Sequence, residues 1–400
     1  DLLISGSDTF LEYITFRMKE KFEVDTFEEN KATYLGMKIE KIGTPDFKGV
    51  ILDPNNYEDK INHIEISQAR SKQKDDFLTE EEQSVMRSEL GKLMWLARIA
   101  RPDAIYDASA AAQNFANFKP ENGDEEISFD ENEKENAYTD NPKPSDFEHI
   151  PGFKNFVEKK SEGVNKVNLF KQKKKADTSK THFTVENLMF LKKAIRKLKG
   201  EGKYQIKFHS VDWAEEDIEI EVHCDAGQIL TKTGSRAQLG ICGFIRNKIS
   251  EKNKNENYHT GIAISWSSSK SPRVSTSSYA GEIQALFYGF DAARFIKEML
   301  AELLFGNVGC SINTYVRNDN SDAVYHMDSM NTVTNEKRLN GFLESNREEL
   351  LLNPWLGVGY IPGGLNTSDS MTKSMSSVNL RSLLAEKYVS NCDRTNEKPN

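Results

Sequence analysis

Cysteine is scarce in this 400-residue sequence: Cys224, Cys242, Cys310 and Cys392 are the only four, and none shares a Cys-x-x-Cys spacing. Zinc ribbons and disulfide frameworks are therefore excluded as organising devices, and reduced buried thiols in a reducing, intracellular compartment are expected. No apolar run approaches the ~18 residues that a membrane-spanning helix needs, and no signal-peptide pattern is visible, so no membrane partner is expected. The first residue is not Met, which fits a piece of a longer polypeptide. Positive charge is short as well: 53 Lys and Arg against 62 Asp and Glu leave a net charge of −9, which speaks against a broad electrostatic footprint for nucleic acid. That shortage is uneven. FLKKAIRKLKGEGKYQIKF at 190–208 predicts a basic helix and strand, read equally as a solubilising surface and as a contact for polyanions.

Hydrophobic residues make up 37% of the chain, enough for packed cores in two or three domains but low for a fully globular chain. The shortfall lies between Lys119 and His182. There an acidic run, NGDEEISFDENEKENAYTDNPKPSDFE, gives way to a basic one, VEKKSEGVNKVNLFKQKKKADTSK, with little apolar periodicity. A disordered charged insertion over 119–182 is predicted, because such runs cannot bury enough apolar surface to offset ordering entropy. The Lys173-Lys174-Lys175 cluster is read first as a solvated charge run, and second as a phosphate contact or nuclear-localisation signal.

Four acidic residues of the C-terminal half stand in patterned contexts: Asp225 in EIEVHCDAG, Glu282 in STSSYAGEIQAL, Asp319 in YVRNDNSDAV and Asp369 in GYIPGGLNTSDSMTK. DIEIEVHC at 217–224 alternates polar with apolar and predicts a strand, with Asp225 at its end where Ala226 and Gly227 begin a turn. From Thr276 the chain reads as a helix capped by Ser277 or Ser278, with Ile283, Leu286, Phe287, Phe290, Ala293 and Ile296 at helical spacing and Glu282 in the first turns. SINTYVRN predicts a short strand delivering Asp319, followed by a helix from Ser321. WLGVGYI predicts another strand ending at Pro362-Gly363-Gly364, after which Asn366 or Thr367 caps a helix carrying Asp369. Any one of these acids alone is ordinary turn or cap chemistry. Together they suit a site for divalent ions that cut phosphodiesters, which needs several carboxylates within a few ångströms and takes them from distant parts of a chain. Trp266 is expected in a core, and His223 and His326 read as hydrogen-bonded structural residues rather than ligands.

The order strand-Asp, helix-Glu, strand-Asp, last-helix Asp resembles ribonuclease H, and the flanking residues resemble that of copia-type LTR retrotransposon polyproteins. ISWSSSKSPRVSTSSYAGEIQAL is similar to the family's W-S-K-K-Q…V-x-x-S-S-T-E-A-E-Y-x-A-L, NDNSDAV to its D-N-x-x-A, and IPGGLNTSDSMTK to its V-P-x-x-x-N-x-A-D-x-x-T-K. Asp322 and Asp328 compete for the third position; Asp319 is preferred because it ends the strand and matches the family's D-N. Ser368 departs from the family's usual Ala, Lys337-Arg338-Leu339-Asn340 from K-H-I-D, and no His follows His326, where many ribonucleases H use one for product release.

The N-terminal part points the same way. DLLISGSDTFLEYITFRMKEKFEVDTFEENKATYLGMKIEK resembles the segment after the polymerase Tyr-Val-Asp-Asp box in those polyproteins, and LTEEEQSVMRSELGKLMWLARIARPDAIYDAS resembles their thumb pattern G-x-L-x-Y-L-x-x-x-T-R-P-D-I. Read from its residues alone, that second stretch is a helix: Thr79 and Glu82 form a capping box, and Met86, Leu90, Leu93, Met94 and Ala97 an apolar face that ends at Arg101-Pro102.

The resemblance implies an α/β chain. Residues 1–118 are then expected to be the end of a reverse transcriptase palm with its thumb, 119–182 the insertion, 183–214 a connecting helix and strand, 215–388 a ribonuclease H domain with a mixed five-stranded sheet flanked by helices, and 389–400 a tail. It implies two Mg²⁺ or Mn²⁺ ions held by Asp225, Glu282, Asp319 and Asp369, and an RNA–DNA hybrid as substrate. The upstream reverse transcriptase portion is the implied partner and a cytoplasmic virus-like particle or the nucleus the implied location. Polymerisation is not expected, since the polymerase carboxylates preceding Asp1 would lie outside the chain. The rival reading is a decayed or domesticated noncatalytic nucleic-acid-binding module.

Overall fold

The computed structural model describes residues 8–21, 28, 30–44, 48–116, 183–203, 205–209, 218–231, 234–248, 258–259, 261–307, 309–329, 334, 336–374, 378–385 and 388–389. The predicted insertion at 119–182 lies outside them, as do most of the predicted tail and Cys392. No helix among the described residues is long and apolar enough to cross a membrane.

The chain first builds an antiparallel sheet. Strands β1 (Lys31–Tyr34), β2 (Met37–Gly43) and β3 (Lys48–Asp53) are joined at its edge by β4 (Ile206–His209), in the order β1-β2-β3-β4. The β1–β2 connection is Leu35-Gly36, both at positive φ (51° and 81°), the backbone of a tight hairpin that glycine favours at its second position. Three helices pack beside this sheet: Glu80–Ile99, Ile105–Ala116 and Val185–Gly200. The first has the predicted capping box between Thr79 and Glu82, and buries Met86, Leu90, Leu93 and Ala97. The third is the basic helix of 190–208; its Val185, Leu188, Leu191, Ala194, Ile195 and Leu198 are buried while Lys193 and Arg196 stay exposed. The helix and strand expected as a connector thus complete this first sheet and its helical layer.

Arg101, where the first helix breaks, is fully buried. Its guanidinium forms two bonds to Asp103 (3.0 and 2.9 Å) and pairs with Glu58, while Asp103 also accepts from Arg381 at 3.3 Å. A buried guanidinium is tolerable only when its donors meet such acceptors.

The second sheet carries the candidate acids. It comprises β5 (Ile218–Thr231), β6 (Gly234–Asn247), β8 (Gly261–Lys270), β9 (Asn313–Asn318) and β10 (Leu356–Tyr360) in the order β10-β9-β5-β6-β8. β6 runs antiparallel to both β5 and β8, whereas β9 runs parallel to β5 and to β10, so the sheet is mixed and five-stranded as expected. A small antiparallel pair, β7 (Tyr258–His259) with β11 (Tyr388–Val389), lies outside it.

The two-residue period of β5 sorts its side chains between two faces. Ile218, Ile220, Val222 and Cys224 pack with Ile283, Leu286, Phe290, Ala293 and Ile296 of the helix Ser278–Phe305. Glu219, Glu221 and His223 face the other way and are also buried. There Glu221 meets Arg246 Nε at 3.0 Å, His223 Nε2 at 3.0 Å and Arg317 Nε at 3.6 Å. Burial alone would raise the Glu221 carboxyl, but the Arg246 charge foremost, then the hydrogen bond with His223 and the Arg317 charge, hold it well below the usual carboxylate range. On this second face Cys242, Phe244, Ala263 and Met371, with Leu380, Leu383 and Leu384 of the helix Val378–Ala385, share one core with the helices of the first sheet.

Candidate active site

The four acids come from four different elements, and the structure corrects two of the local expectations. Asp225 does not end its strand, and Ala226-Gly227 is no turn: β5 continues to Thr231, paired with β6 throughout. What ends near Asp225 is the pairing with β9, whose last partners are His223 and Arg317. The carboxylate therefore emerges where a parallel neighbour stops and leaves a notch in the sheet. Asp369 stands not on a capped helix but on a single 3₁₀ turn, Asp369–Met371. Neither Asn366 nor Thr367 is its N-cap, a place taken by Ser368; the Asn366 side chain accepts from Ser368 N at 3.1 Å and Ser368 Oγ at 2.6 Å, closing the tight local turn typical of Asn.

The glycine thought to start a turn has another role. A Cβ on Gly227 would meet Thr372 O at 2.5 Å, and one on Gly240, the cross-strand partner of Asp225, would meet Ser368 O at 2.7 Å. Both positions are bare because the loop 368–372 lies directly on the sheet there.

The remaining two acids sit as expected. Ser277 caps the helix, its hydroxyl accepting from Ala280 N at 3.1 Å, and Glu282 lies in the second turn. Gly281 beside it brings that turn close to Ala226 and Ala237, whose Cβ atoms lie 3.2 Å from where a Cβ on residue 281 would stand, tighter than ordinary van der Waals contact. Asp319 follows directly after β9 and precedes the helix Ser321–Asp328, capped by Asn320. Its competitors Asp322 and Asp328 are exposed on that helix.

Ligand oxygens of Asp225, Glu282 and Asp319 all lie within 4.8 Å of one another. Asp369 is not in that triad, but Lys373 Nζ joins it to the site: the ammonium is 2.5 Å from Asp369 Oδ1 and 4.0 Å from Asp225 Oδ2. Asn318 Nδ2 donates to Glu282 Oε2 at 2.9 Å and to Cys224 O at 3.0 Å. The hydroxyl of Thr372 donates to Asp225 Oδ2. His223, neutral because burial lowers its pKa, accepts from Thr367 N at 3.2 Å through Nδ1 and so pins the loop that carries Asp369. Lys373, Thr372 and Asn318 are site residues that the sequence pattern did not single out. The first two stand inside the quoted SDSMTK match, and Asn318 directly precedes Asp319, so adjacency was the available signal.

Electrostatics mark the cluster as short of positive charge. Burial, and then the neighbouring Asp319 and Asp369, raise Asp225 to about 6 despite the Thr372 bond and Lys373. Burial and the Asp225 charge raise Glu282 to about 8, and burial followed by Asp369 raises Asp319. Like charges this close cannot all ionise cheaply without a cation, and carboxylates converging in this way suit hard divalent ions with oxygen ligands.

No protein-family model matches the chain, and no curated protein matches it. Among solved structures, LC11-RNase H1, isolated from compost by a metagenomic approach, aligns at 19% identity over 38% of this chain and 91% of its own, with a TM-score of 0.27. The same protein in complex with RNA/DNA hybrid aligns at 17% identity, 40% and 99% coverage and a TM-score of 0.26. RNase H1 from the halophilic archaeon Halobacterium salinarum NRC-1 aligns at 15% identity, 38% and 93% coverage and a TM-score of 0.24. Overlaps of this size carry no weight beside the strand order and the carboxylate geometry. The second sheet itself is mixed, five-stranded and flanked by helices.

Proposed function

We propose that the chain is a metal-dependent nuclease of the ribonuclease H class, hydrolysing the RNA strand of RNA–DNA hybrids. More particularly, it is read as the ribonuclease H of a copia-type LTR retrotransposon polyprotein, preceded by the end of a reverse transcriptase palm and thumb. One observation carries the reading: Asp225, Glu282 and Asp319, distant in sequence, bring ligand oxygens within 4.8 Å of one another on a sheet of order β10-β9-β5-β6-β8. Those three, with Asp369 at the rim, are assigned as the ligands of two Mg²⁺ or Mn²⁺ ions.

The chemistry such ions supply is activation of a water and stabilisation of the leaving 3′-oxygen. The chain's own contribution is positional. Asn318 fixes one oxygen of Glu282, Thr372 one oxygen of Asp225, and the glycine contacts seat the loop that presents Asp369. Burial strips water from Asp225 and Glu282 and keeps them poised to accept positive charge. Recognition of RNA over DNA is assigned to contacts with 2′-hydroxyls in a wide, shallow minor groove.

The test is cleavage of a labelled hybrid, with duplex DNA as control, by the purified chain in Mg²⁺ or Mn²⁺. Asp225→Asn and Glu282→Gln keep side-chain shape and remove ligand charge, so each is expected to abolish cleavage while the circular dichroism spectrum persists. Undiminished cleavage in both variants would place the metal site elsewhere. Hybrid binding without cleavage under any divalent ion would establish the noncatalytic module instead.

A further inference from the structure

Lys373 stands against the acid cluster without a part in the chemistry assigned above. Its ammonium donates to Asp369 Oδ1 at 2.5 Å and is 4.0 Å from Asp225 Oδ2. Among the described residues it is the cation ion-paired with these two acids. The contrast in exposure matters: the Lys373 side chain is 54% exposed, that of Asp225 only 2%. The carboxylate is fixed, held by Thr372 and by the strand beneath it, whereas the ammonium sits on a long flexible stem with water at its back.

Asp225 also belongs to the triad whose oxygens lie within 4.8 Å of one another. An ammonium and a divalent ion therefore compete for the charge of the same carboxylate. We propose that Lys373 is a built-in counter-ion, a positioning residue that neutralises Asp225 and Asp369 until a divalent cation displaces it, and so sets the cation concentration at which the site loads. The idea rests on the metal-site reading above. Lysine suits this role because a strongly hydrated point charge leaves readily, while a guanidinium would grip a carboxylate with two bonds and resist exchange.

The experiment is calorimetric titration of Mn²⁺ into the full chain without substrate, at low salt. Lys373→Met keeps the stem and removes the charge, and is expected to bind Mn²⁺ roughly five- to tenfold tighter than the parent, since a unit charge ~4 Å away opposes loading. Lys373→Arg is expected to bind no tighter than the parent, which separates charge from a mere change of packing. Without metal, Lys373→Met is expected to melt at lower temperature than the parent, and Mn²⁺ to close the gap. Should that variant fail to fold, Lys373→Gln enters the same titration. Equal or weaker Mn²⁺ binding by a folded neutral variant overturns the counter-ion. If the parent binds Mn²⁺ and cuts hybrid while the neutral variant shows unchanged affinity, the nuclease reading stands and only the counter-ion falls. If no protein in the series binds Mn²⁺, the metal site falls and takes the counter-ion with it.

Discussion

Replacing Glu282 with Gln should stabilise the metal-free protein, and only at high pH. In the folded protein the Glu282 carboxyl is raised from its ordinary 4.5 to about 8, by burial first and the Asp225 charge second. A raised acid contributes stability that is fully present below pH 4.5 and is lost as pH climbs to about 8, because over that window the unfolded chain releases a proton that the native state retains. Forcing a carboxyl with that displacement to ionise costs at most about 5 kcal/mol. Repulsion between two carboxylates ~5 Å apart at an effective dielectric near 20 is roughly 3 kcal/mol, and water entry lowers both. A net of about 1–3 kcal/mol is therefore expected. The glutamine oxygen can still accept from Asn318 Nδ2, which lies 2.9 Å from Glu282 Oε2, so the charge is the main loss. Urea unfolding in chelator should show Glu282→Gln more stable by about 1–3 kcal/mol at pH 9 and within ~0.5 kcal/mol of the parent at pH 5. Adding Mn²⁺ at pH 9 should reverse the order, because only the parent keeps the full ligand set. An equal gap at both pH values, or a parent that is the more stable at pH 9 in chelator, would refute the claim that these acids repel one another in the fold.

Two further substitutions test the frame around the site. Gly240→Ala places a Cβ 2.7 Å from Ser368 O, a backbone atom that cannot turn aside; a loss of about 1–3 kcal/mol in urea unfolding is expected, together with reduced hybrid cleavage although no carboxylate is touched. Arg101→Met takes the Arg101 guanidinium from the buried Glu58 and Asp103, the latter keeping its bond from Arg381, and should cost about 3–5 kcal/mol, read as a lower urea midpoint.

How far the sequence could be read was a matter of range. The capping box at Thr79, the cap at Ser277 and the strands at Asn313–Asn318 and Leu356–Tyr360 are set by neighbours within a few residues, and the structure has them where periodicity placed them. Gly227 misled for the complementary reason. A glycine after a strand-like run signals a turn in local terms, but this one is bare because Thr372, distant in sequence, lies on it. Glu219 and Glu221 likewise alternate as a strand's polar face would, yet both are buried, because Arg246 and Arg317 arrive from other strands to pair with them. The acids could be nominated from local pattern and family resemblance, but their convergence could not: it depends on β9 ending beside β5 and on a loop descending onto two glycines.

That loop is also held from the side of the first sheet. Ser268 Oγ donates to Met371 O at 2.5 Å and accepts from Gln238 Nε2 at 2.7 Å, while Gln238 Oε1 accepts from Gln113 Nε2 at 2.8 Å. Asp107 accepts from Ser374 Oγ at 3.0 Å and from Lys197 Nζ at 2.7 Å, and Trp266 Nε1 donates to Ala97 O at 3.0 Å. Gln113, Asp107, Lys197 and Ala97 all belong to the three helices beside the first sheet. Loops are ordinarily the least constrained part of a fold, and an error of ~1 Å in a reacting group can cost about a hundredfold in rate. Residues 366–374 escape that looseness because they are pinned on one side by His223, Gly227 and Gly240 and on the other by these helices. The helices are thus a buttress of the acid cluster, and a change at Asp107 or Gln113 reaches the carboxylates through a segment that both halves of the structure hold.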